Sequence, residues 1–270
     1  MARETTLQVR WAVVAVAMAF ALVASLSAMV MLAPAQAYAK PTKTVWLLAK
    51  AQVINKDDHQ NNTLTYTYTK NGLLKNKKNA EKGNEKFAYT YAYKYTGKSV
   101  LKSCTVKEGK KLSSKISYSA NKKGFVTKSV ENSYGEKTVL KYTYDKKGRL
   151  HKMAQRNGAY LYKYNKKSQV KSYKWQSEAL GTYKYDSKGY PASLETPYDG
   201  TASYKNTYKN GLLKKCVYNM SSYNTVVKYT YEKMKVPASL LKMVNAQQFA
   251  LITGLPSNDD GIVPFEAAHK

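Results

Sequence analysis

Aromatic and polar residues alternate along most of the chain, and the clearest example begins at Tyr142. Tyr142 and Tyr144 are two residues apart, so both lie on one face of an extended strand while Thr143 points to the other face. The residues Asp145 to Gly148 are typical of a tight turn, and the glycine tolerates a positive φ. Leu150 then begins a second apolar stretch. The pattern therefore predicts a β-hairpin.

Weaker copies of this hairpin recur along the chain, each with tyrosines at alternating positions before a polar turn. They contain Tyr66 and Tyr68, Tyr89 to Tyr95, Tyr162 and Tyr164, Tyr183 and Tyr185, Tyr204 and Tyr208, and Tyr229 and Tyr231. The copies repeat every 20 to 27 residues, roughly, which is typical of stacked supersecondary units. Two strands per copy predict an all-β antiparallel meander of roughly 14–16 strands, either a curled single-layer sheet or a barrel.

Two stretches depart from the repeat. Residues 75–86 are almost entirely polar and indicate a loop or an irregular hairpin tip. Near the end, Pro237 should stop the last strand, and the apolar residues of 240–252 predict a short helix. We therefore expect a repeat domain at 38–233, then a capping helix and tail at 234–270.

The N-terminal segment has the composition of a targeting signal. A short basic start precedes an uncharged apolar run from Trp11 to Ala33, and small residues at 35–39 offer cleavage sites. The prediction is a signal peptide at 1–37, with an uncleaved membrane anchor as the alternative. Both place the rest of the chain outside the cytoplasm, secreted or attached to the cell envelope.

The chain is strongly basic, with 45 Lys and Arg against 17 Asp and Glu, a net charge of +28. Beyond the N-terminal segment the only arginines are Arg149 and Arg156. Lysine is a hydrated point charge, whereas arginine supplies the planar fork suited to base edges. We therefore expect attraction to anionic polymers or glycans of the envelope and no sequence-specific nucleic acid. The alternative is that these lysines solubilise turns and protect strand edges.

Tyrosine is the dominant aromatic residue, with 25 Tyr against 5 Phe and 3 Trp, and aliphatic residues are thinly spread. Pairs of tyrosines on neighbouring strands align across a sheet and predict a strip of aromatic faces able to stack on sugar rings. The candidate ligand-binding residues are Tyr142, Tyr144, Tyr162, Tyr164, Tyr183 and Tyr185. The alternative is that these rings fill the interior and bind nothing.

The remaining chemistry is sparse. Cys104 and Cys216 could form a disulfide in an oxidising compartment, but two cysteines far apart do not decide it. His59, His151 and His269 have no partners at metal-binding spacing, and the chain contains no phosphate-binding loop or nucleophile motif. We expect no enzymatic activity, no cofactor and no metal.

The stretch Tyr142-x-Tyr144-Asp145-x-x-Gly148-Arg149-Leu150 resembles the YD-repeat of bacterial Rhs-type and teneurin-like surface and toxin proteins. A second copy from Tyr183 keeps the first half of that motif. The resemblance implies hairpins that build a wide sheet curled around an enclosed space. The overall layout over 44–233 also resembles uncharacterised secreted bacterial proteins with a porin-like meander.

These features favour a secreted, non-enzymatic binding or structural module of the cell surface. One alternative is a shell or barrel that encloses a small ligand or a partner. A further alternative is a pore-forming or outer-membrane barrel, which would need a continuous apolar band on the lipid-facing side of every strand. The residues that alternate with tyrosine are Thr, Lys and Ser, so this alternative is the weakest; otherwise the membrane is contacted only through an uncleaved N-terminal segment.

Overall fold

The structure is a computed structural model that describes residues 41–57, 60–97, 99–221 and 223–253. Several predictions from the sequence lie outside the described residues: the signal segment 1–37, Asp58 and His59, and the tail 255–270 with Asp259, Asp260 and His269.

The described chain forms sixteen β-strands followed by one α-helix. The strands are β1 (Thr42–Asn55), β2 (Asn61–Tyr68), β3 (Leu74–Glu81), β4 (Tyr89–Tyr95), β5 (Leu101–Glu108), β6 (Lys111–Ala120), β7 (Val126–Ser133), β8 (Glu136–Tyr144), β9 (Leu150–Gln155), β10 (Gly158–Tyr164), β11 (Val170–Trp175), β12 (Glu178–Tyr185), β13 (Pro191–Thr196), β14 (Gly200–Lys209), β15 (Leu212–Met220) and β16 (Tyr223–Pro237). The helix α1 is Leu241–Thr253, and short 3-10 turns lie at Glu85–Phe87 and Ala238–Leu240.

Every strand pairs antiparallel with the next one in sequence, and β1 pairs with β16, so the sheet is a closed barrel. The closing ladder is long: it runs from the pair Thr42 and Pro237 to the pair Asn55 and Thr225. Closure leaves no exposed strand edge within the sheet. The predicted all-β meander with a short C-terminal helix is confirmed, with closure into a barrel.

The alternation of residues separates the inside of the barrel from the outside. In β4, Tyr91 and Tyr93 are buried while Lys94 is exposed; in β8, Tyr142 is buried while Lys141 is exposed. The interior also contains an aliphatic residue at or near the start of many odd-numbered strands. These residues are Leu74, Leu101, Val126, Leu150, Val170 and Leu213. The core is therefore a mixture of tyrosine and aliphatic side chains.

One turn recurs at one end of the barrel, and Asp145 shows its construction. The Asp145 amide donates to the Arg149 carbonyl (2.8 Å), and the Gly148 amide donates to the Asp145 carbonyl (2.9 Å). The Asp145 Oδ1 atom accepts from the amides of Lys147 and Arg149, both at 2.9 Å. Gly148 has a φ of +78°, as the turn requires. The same backbone pattern begins at Thr69, Thr96, Asn121, Asn165 and Asp186.

A β-bulge follows each of these turns. Tyr144 pairs with Leu150 and Thr143 with Lys152, so His151 has no partner across the ladder. Leu150 stands opposite Tyr144 and points inward, and the extra residue lets Met153, three residues later, also point inward opposite Tyr142. The bulged residue is a lysine in several other hairpins, namely Lys75, Lys102, Lys171 and Lys214.

The two Asn-Gly sequences form different turns. Asn210 and Gly211 both have positive φ (52° and 76°), the geometry of a two-residue type I′ turn. Asn71 and Gly72 instead belong to the recurring turn that begins at Thr69. Both stretches connect hairpin strands, but only Asn210 and Gly211 form the two-residue loop.

Helix α1 packs at the barrel end that carries the recurring turns. The Gln247 Oε1 atom accepts from the Leu74 amide (3.0 Å), and the Tyr229 hydroxyl donates to the Ile252 carbonyl (3.1 Å). Phe249 lies 5.3 Å from the ring of Tyr190. Among the described residues, no helix combines the length and apolar character needed to cross a bilayer.

Two boundaries differ from the sequence expectation. Strand β3 occupies much of the polar stretch predicted as a loop, because it pairs with both β2 and β4 and one of its lysines, Lys77, lies over the Tyr91 ring at 4.9 Å. Strand β16 ends at Pro237, as expected, but runs past the expected end of the repeat domain at 233 because it extends along β1. In both cases a neighbouring strand supplies the order that the local sequence does not indicate.

Candidate binding surfaces

The six candidate tyrosines line the inside of the barrel. Tyr142, Tyr162 and Tyr183, the first members of their pairs, are only 2 %, 2 % and 4 % exposed. Their partners Tyr144, Tyr164 and Tyr185 are half-buried and pack against the same core. The two members of each pair share one side of the sheet, as predicted. That side faces inward, so no outer strip of these rings is available, and a ligand for them would have to enter the barrel.

The second tyrosine of a pair has a structural task that repeats around the barrel. Its hydroxyl donates to a backbone carbonyl of the preceding strand, just beyond the point where the ladder between the two strands ends. The bonds are Tyr68 to Leu48 (2.6 Å), Tyr95 to Leu74 (2.9 Å), Tyr144 to Val126 (2.6 Å), Tyr164 to Leu150 (2.5 Å), Tyr185 to Val170 (2.7 Å) and Tyr231 to Leu213 (2.7 Å). Each phenol therefore satisfies a carbonyl that no strand partner reaches.

The first tyrosines of the pairs are held differently. Tyr142 shares a 2.8 Å hydrogen bond with Ser129, whereas the hydroxyls of Tyr162 and Tyr183 are buried and have no hydrogen-bond partner among the described residues. Burial raises the pKa of Tyr162 and Tyr183 well above the ordinary phenol value of 10.0. These phenols therefore stay neutral while the barrel is folded.

Cys104 and Cys216 are both buried free thiols, on β5 and β15, and the structure does not join them in a disulfide. Burial raises the pKa of each thiol to about 12. A buried thiol with a raised pKa has little thiolate and is chemically inert at neutral pH. Both residues contribute to core packing.

The outer wall carries the charge. At the ends of the strands nearest the recurring turns, a lysine on one strand stands opposite a hydroxyl-bearing residue on the next. The pairs are Lys94 and Ser103, Lys128 and Ser119, Lys152 and Thr143, Lys163 and Ser172, Lys184 and Ser193, and Lys215 and Thr207. This arrangement spreads the amines around the barrel and mostly avoids opposing like charges across a ladder.

At two places lysines do stand directly opposite each other: Lys128 with Lys141, and Lys215 with Lys228. All four are exposed. Like charges in direct opposition are destabilising, so each pair lowers the stability of the barrel. An anionic partner bound between the two amines would reduce their repulsion.

This arrangement is the reverse of an outer-membrane barrel. A barrel in lipid presents apolar residues outward and polar residues inward. Here the buried tyrosines and aliphatic residues face inward, and exposed residues such as Lys94, Lys141 and Lys228 face outward. Lysine on a lipid-facing wall near the bilayer midplane costs about 2–4 kcal/mol per residue. The distribution argues against a lipid-facing outer wall.

Groups suited to catalysis or metal binding are not brought together in the described ranges. His151 is exposed on the outer wall at a bulge. No set of three or more His, Cys, Asp or Glu side chains within the described residues is close enough to hold a metal ion. The strongest local ionic contact is structural: Arg149 donates to Asp145 through Nε at 2.6 Å within the turn.

Comparison with known proteins gives a fold and no family. No protein-family model matches the chain, and no curated protein does. A porin-like protein from Bacteroides uniformis superimposes with a TM-score of 0.52 over 68 % of this chain and 96 % of its own, at 15 % identity. The predicted likeness to a porin-like meander is thereby confirmed for the fold.

Toxin structures match more weakly. TcdB2-TccC3 without its hypervariable C-terminal region matches over 73 % of this chain but 11 % of its own, with a TM-score of 0.28 and 15 % identity. The Photorhabdus luminescens Tc holotoxin pore matches over 64 % of this chain and 12 % of its own, with a TM-score of 0.25 and 13 % identity. Likeness at this level carries no argument, and the YD-repeat resemblance stays a prediction.

Proposed function

We propose that this barrel is a non-enzymatic module of the cell envelope, outside the cytoplasm, that binds anionic envelope polymers through its lysine-bearing outer wall. The observation that carries the proposal is the placement of the charge. Lysines occupy outward positions around the barrel, while the inward positions are filled by tyrosine and aliphatic side chains. The inside is packed for stability, so the outside is the surface left for recognition.

The charge balance supports an anionic partner over a neutral one. With 45 basic and 17 acidic side chains, most amines have no carboxylate to neutralise them. A surface of one sign raises the local concentration of oppositely charged polymers and accelerates their association. The spread of lysines, in contrast to a single patch, suits a flexible polyanion that contacts the barrel at many points.

A binding assay with defined polymers tests the proposal. Fluorescently labelled polyphosphate and a neutral dextran of similar length would be titrated with the protein at low and high ionic strength. We expect polyphosphate to bind at low salt and to be released as salt rises, since exposed charges are screened. Binding of dextran that equals that of polyphosphate, or polyphosphate binding unaffected by salt, would contradict the proposal.

The opposed lysines provide matched variants. The change Lys128→Gln with Lys141→Gln removes two exposed charges, whereas Lys128→Arg with Lys141→Arg keeps them. If each charge is worth about 0.3–1 kcal/mol, we expect the glutamine variant to bind polyphosphate about 3- to 30-fold more weakly and the arginine variant to bind as the parent does. Equal binding by both variants would remove these lysines from the binding surface.

A further inference from the structure

The outer wall has a groove of about 610 Å³ across β9 to β13. This volume lies within the usual range for sites that hold small organic ligands, about 300–1,000 Å³. The groove is on the outside of the barrel, because its charged lining residues occupy outward positions of the ladders.

Its outward-facing residues form two parallel rows, and the inward-facing Tyr162, Tyr173 and Gly181 also border it. The first row crosses four strands as Lys163, Ser172, Thr182 and Glu195, each the direct ladder partner of the next. With neighbouring strands about 4.8 Å apart, the row places an amine and a carboxylate on backbones about 14 Å apart, with two hydroxyls between them.

The second row supplies apolar surface beside the first. Leu161, Lys174 and Ala179 are successive ladder partners on β10, β11 and β12, and Pro197 borders the groove just beyond β13. His151, the bulged residue of β9, adds an exposed imidazole beside Lys163. The groove thus combines an amine, two hydroxyls and a carboxylate in the first row with a second amine between apolar residues in the second row, and His151 also lines it.

The shape of the groove is built into the inner packing of β12. A Cβ atom on Gly181 would lie 2.6 Å from Leu194 Cδ1 and 2.8 Å from Tyr173 Cε1, so the wall approaches the core here more closely than another residue allows. The register between β11 and β12 also shifts next to Gly181, leaving Leu180 as a bulge. A bulge bends a strand, and a bent wall is concave on one side.

The polar groups of the groove are unengaged. Lys163, Lys174, Thr182 and Glu195 make no side-chain hydrogen bond or ion pair with other described residues. Elsewhere on the wall a lysine over an aromatic ring, such as Lys214 on Tyr231 at 5.0 Å, is already partly satisfied. Unengaged donors and acceptors around a hydrophobic floor are the composition of a ligand site.

We propose that this groove is a specific subsite for a short anionic saccharide. The acidic group of the ligand would contact Lys163 and Lys174, with His151 nearby. The apolar faces of its successive sugar rings would lie on Leu161 and on Ala179 with Pro197, on either side of Lys174. The ring hydroxyls would bond to Ser172, Thr182 and Glu195. This inference rests on the proposed function, because it gives one part of the basic wall a preference for polymers that contain sugar.

The test compares a sugar-containing anion with one that has no rings. A fluorescent heparin-derived tetrasaccharide and a polyphosphate of the same charge would be titrated at one fixed ionic strength. The groove variant is Lys163→Gln with Lys174→Gln. Its matched control is Lys94→Gln with Lys141→Gln, which removes two outer-wall lysines outside the groove; Lys94 occupies the same Tyr-Lys-Tyr position as Lys163 and also opposes a serine.

We expect the groove variant to bind the tetrasaccharide about 10-fold or more weakly and the control about 3-fold or less, because charged hydrogen bonds in a site exceed long-range attraction. Polyphosphate should lose equal affinity in both. A blocking variant, Ala179→Trp, changes no charge and should weaken only the tetrasaccharide, while Thr143→Trp on the open wall should not. Far-UV circular dichroism confirms that each variant is folded.

The outcomes separate the two proposals. Equal losses for the tetrasaccharide in groove and control variants, or full binding by Ala179→Trp, would overturn the subsite and leave the proposed basic surface standing. Failure of the parent protein to bind either anion would overturn both.

Discussion

The buried tyrosines predict a cooperative alkaline unfolding of the barrel. Burial raises the pKa of Tyr66, Tyr93, Tyr162, Tyr183 and Tyr229 above the ordinary value of 10.0. All five side chains are at most 8 % exposed. Above pH 10 the unfolded chain releases these protons and the folded barrel keeps them. Their contribution is therefore fully retained below pH 10 and is lost as the pH rises above it.

The magnitude is large compared with the stability of an ordinary domain. At pH 11, one unit above the unfolded value, a phenol that ionises only in the unfolded chain lowers the free energy of unfolding by about 1.4 kcal/mol. Five such groups together lower it by about 7 kcal/mol, against a typical total of about 5–15 kcal/mol. Cys104 and Cys216, with pKa values raised to about 12, act in the same direction.

Two optical signals recorded on one sample test this reasoning. Tyrosinate formation is followed by absorbance near 295 nm and the barrel by far-UV circular dichroism, each as a function of pH, with the urea-unfolded chain as the reference titration. We expect the main rise in tyrosinate to coincide with loss of the β-sheet signal above pH 10.5, roughly. A tyrosine titration centred near pH 10 with the sheet signal intact would show that water reaches these rings, and the packed interior would be refuted.

Four further substitutions follow from particular contacts. Tyr164→Phe leaves the Leu150 carbonyl without its hydrogen bond and should lower the free energy of unfolding by about 1–2 kcal/mol. Tyr162→Phe removes a buried hydroxyl that has no partner in the described structure, so its effect on stability should be neutral or stabilising. Asp145→Ala removes the turn acceptor and the contact with Arg149 and should cost about 1–2 kcal/mol, measured by urea unfolding. Gly181→Ala should cost about 1–3 kcal/mol in the same assay, since its new methyl group meets packed side chains.

Each of these has a comparison that would contradict it. Equal destabilisation by the two phenylalanine variants would mean that the hydroxyl bond of Tyr164 has no special role. Asp145→Asn should be milder than Asp145→Ala, because Asn121 and Asn165 build the same turn. Burial raises the pKa of Asp145, but hydrogen bonds from Arg149 and the backbone outweigh burial and lower it overall. The stabilisation from the Asp145 carboxylate should therefore be lost as the pH falls through this lowered pKa. If Asp145→Asn lost stability at acidic pH as steeply as the parent, this role of Asp145 would be excluded. A Gly181→Ala variant as stable as the parent would remove the packing explanation for the groove.

The local features of the fold were predictable from the sequence because they depend on neighbouring residues. The spacing of Tyr142 and Tyr144 determines that they share a face, and an acidic or amide residue three positions before a glycine determines the turn. The inward direction of that face was not predictable from these residues. It depends on closure between β1 and β16, which are far apart in sequence.

The functional surfaces were harder to predict for the same reason. The groove is assembled from five strands, and no single stretch contains more than a few of its residues. One signal was present: Gly181 stands at an inward position in a strand otherwise rich in tyrosine, and a glycine there indicates close packing. Alternation of tyrosines shows that the rings share one face but not whether that face is exposed or buried. The tyrosine strip was therefore expected to recognise ligands, although its rings lie inside the barrel.

The hairpin that departs from the tyrosine pattern explains where the helix lies. In β14 the half-buried Asn206 stands two residues before Tyr208, and its amide donates to the Pro191 carbonyl at 2.9 Å, the bond that a second tyrosine makes in other hairpins. Tyr208 instead donates to Asp186 in the adjacent turn. The shorter amide leaves room at this end of the barrel.

That room is filled by two rings, Tyr190 and Phe249, which lie 5.3 Å apart, the first from the turn before β13 and the second from α1. Tyr190 also lies 5.8 Å from Tyr208. A regular repeat would place a phenol where Asn206 donates its bond, and that larger side chain would crowd these rings. The helix therefore packs at the part of the barrel end where the repeat is broken, with Phe249 against Tyr190 beside Tyr208.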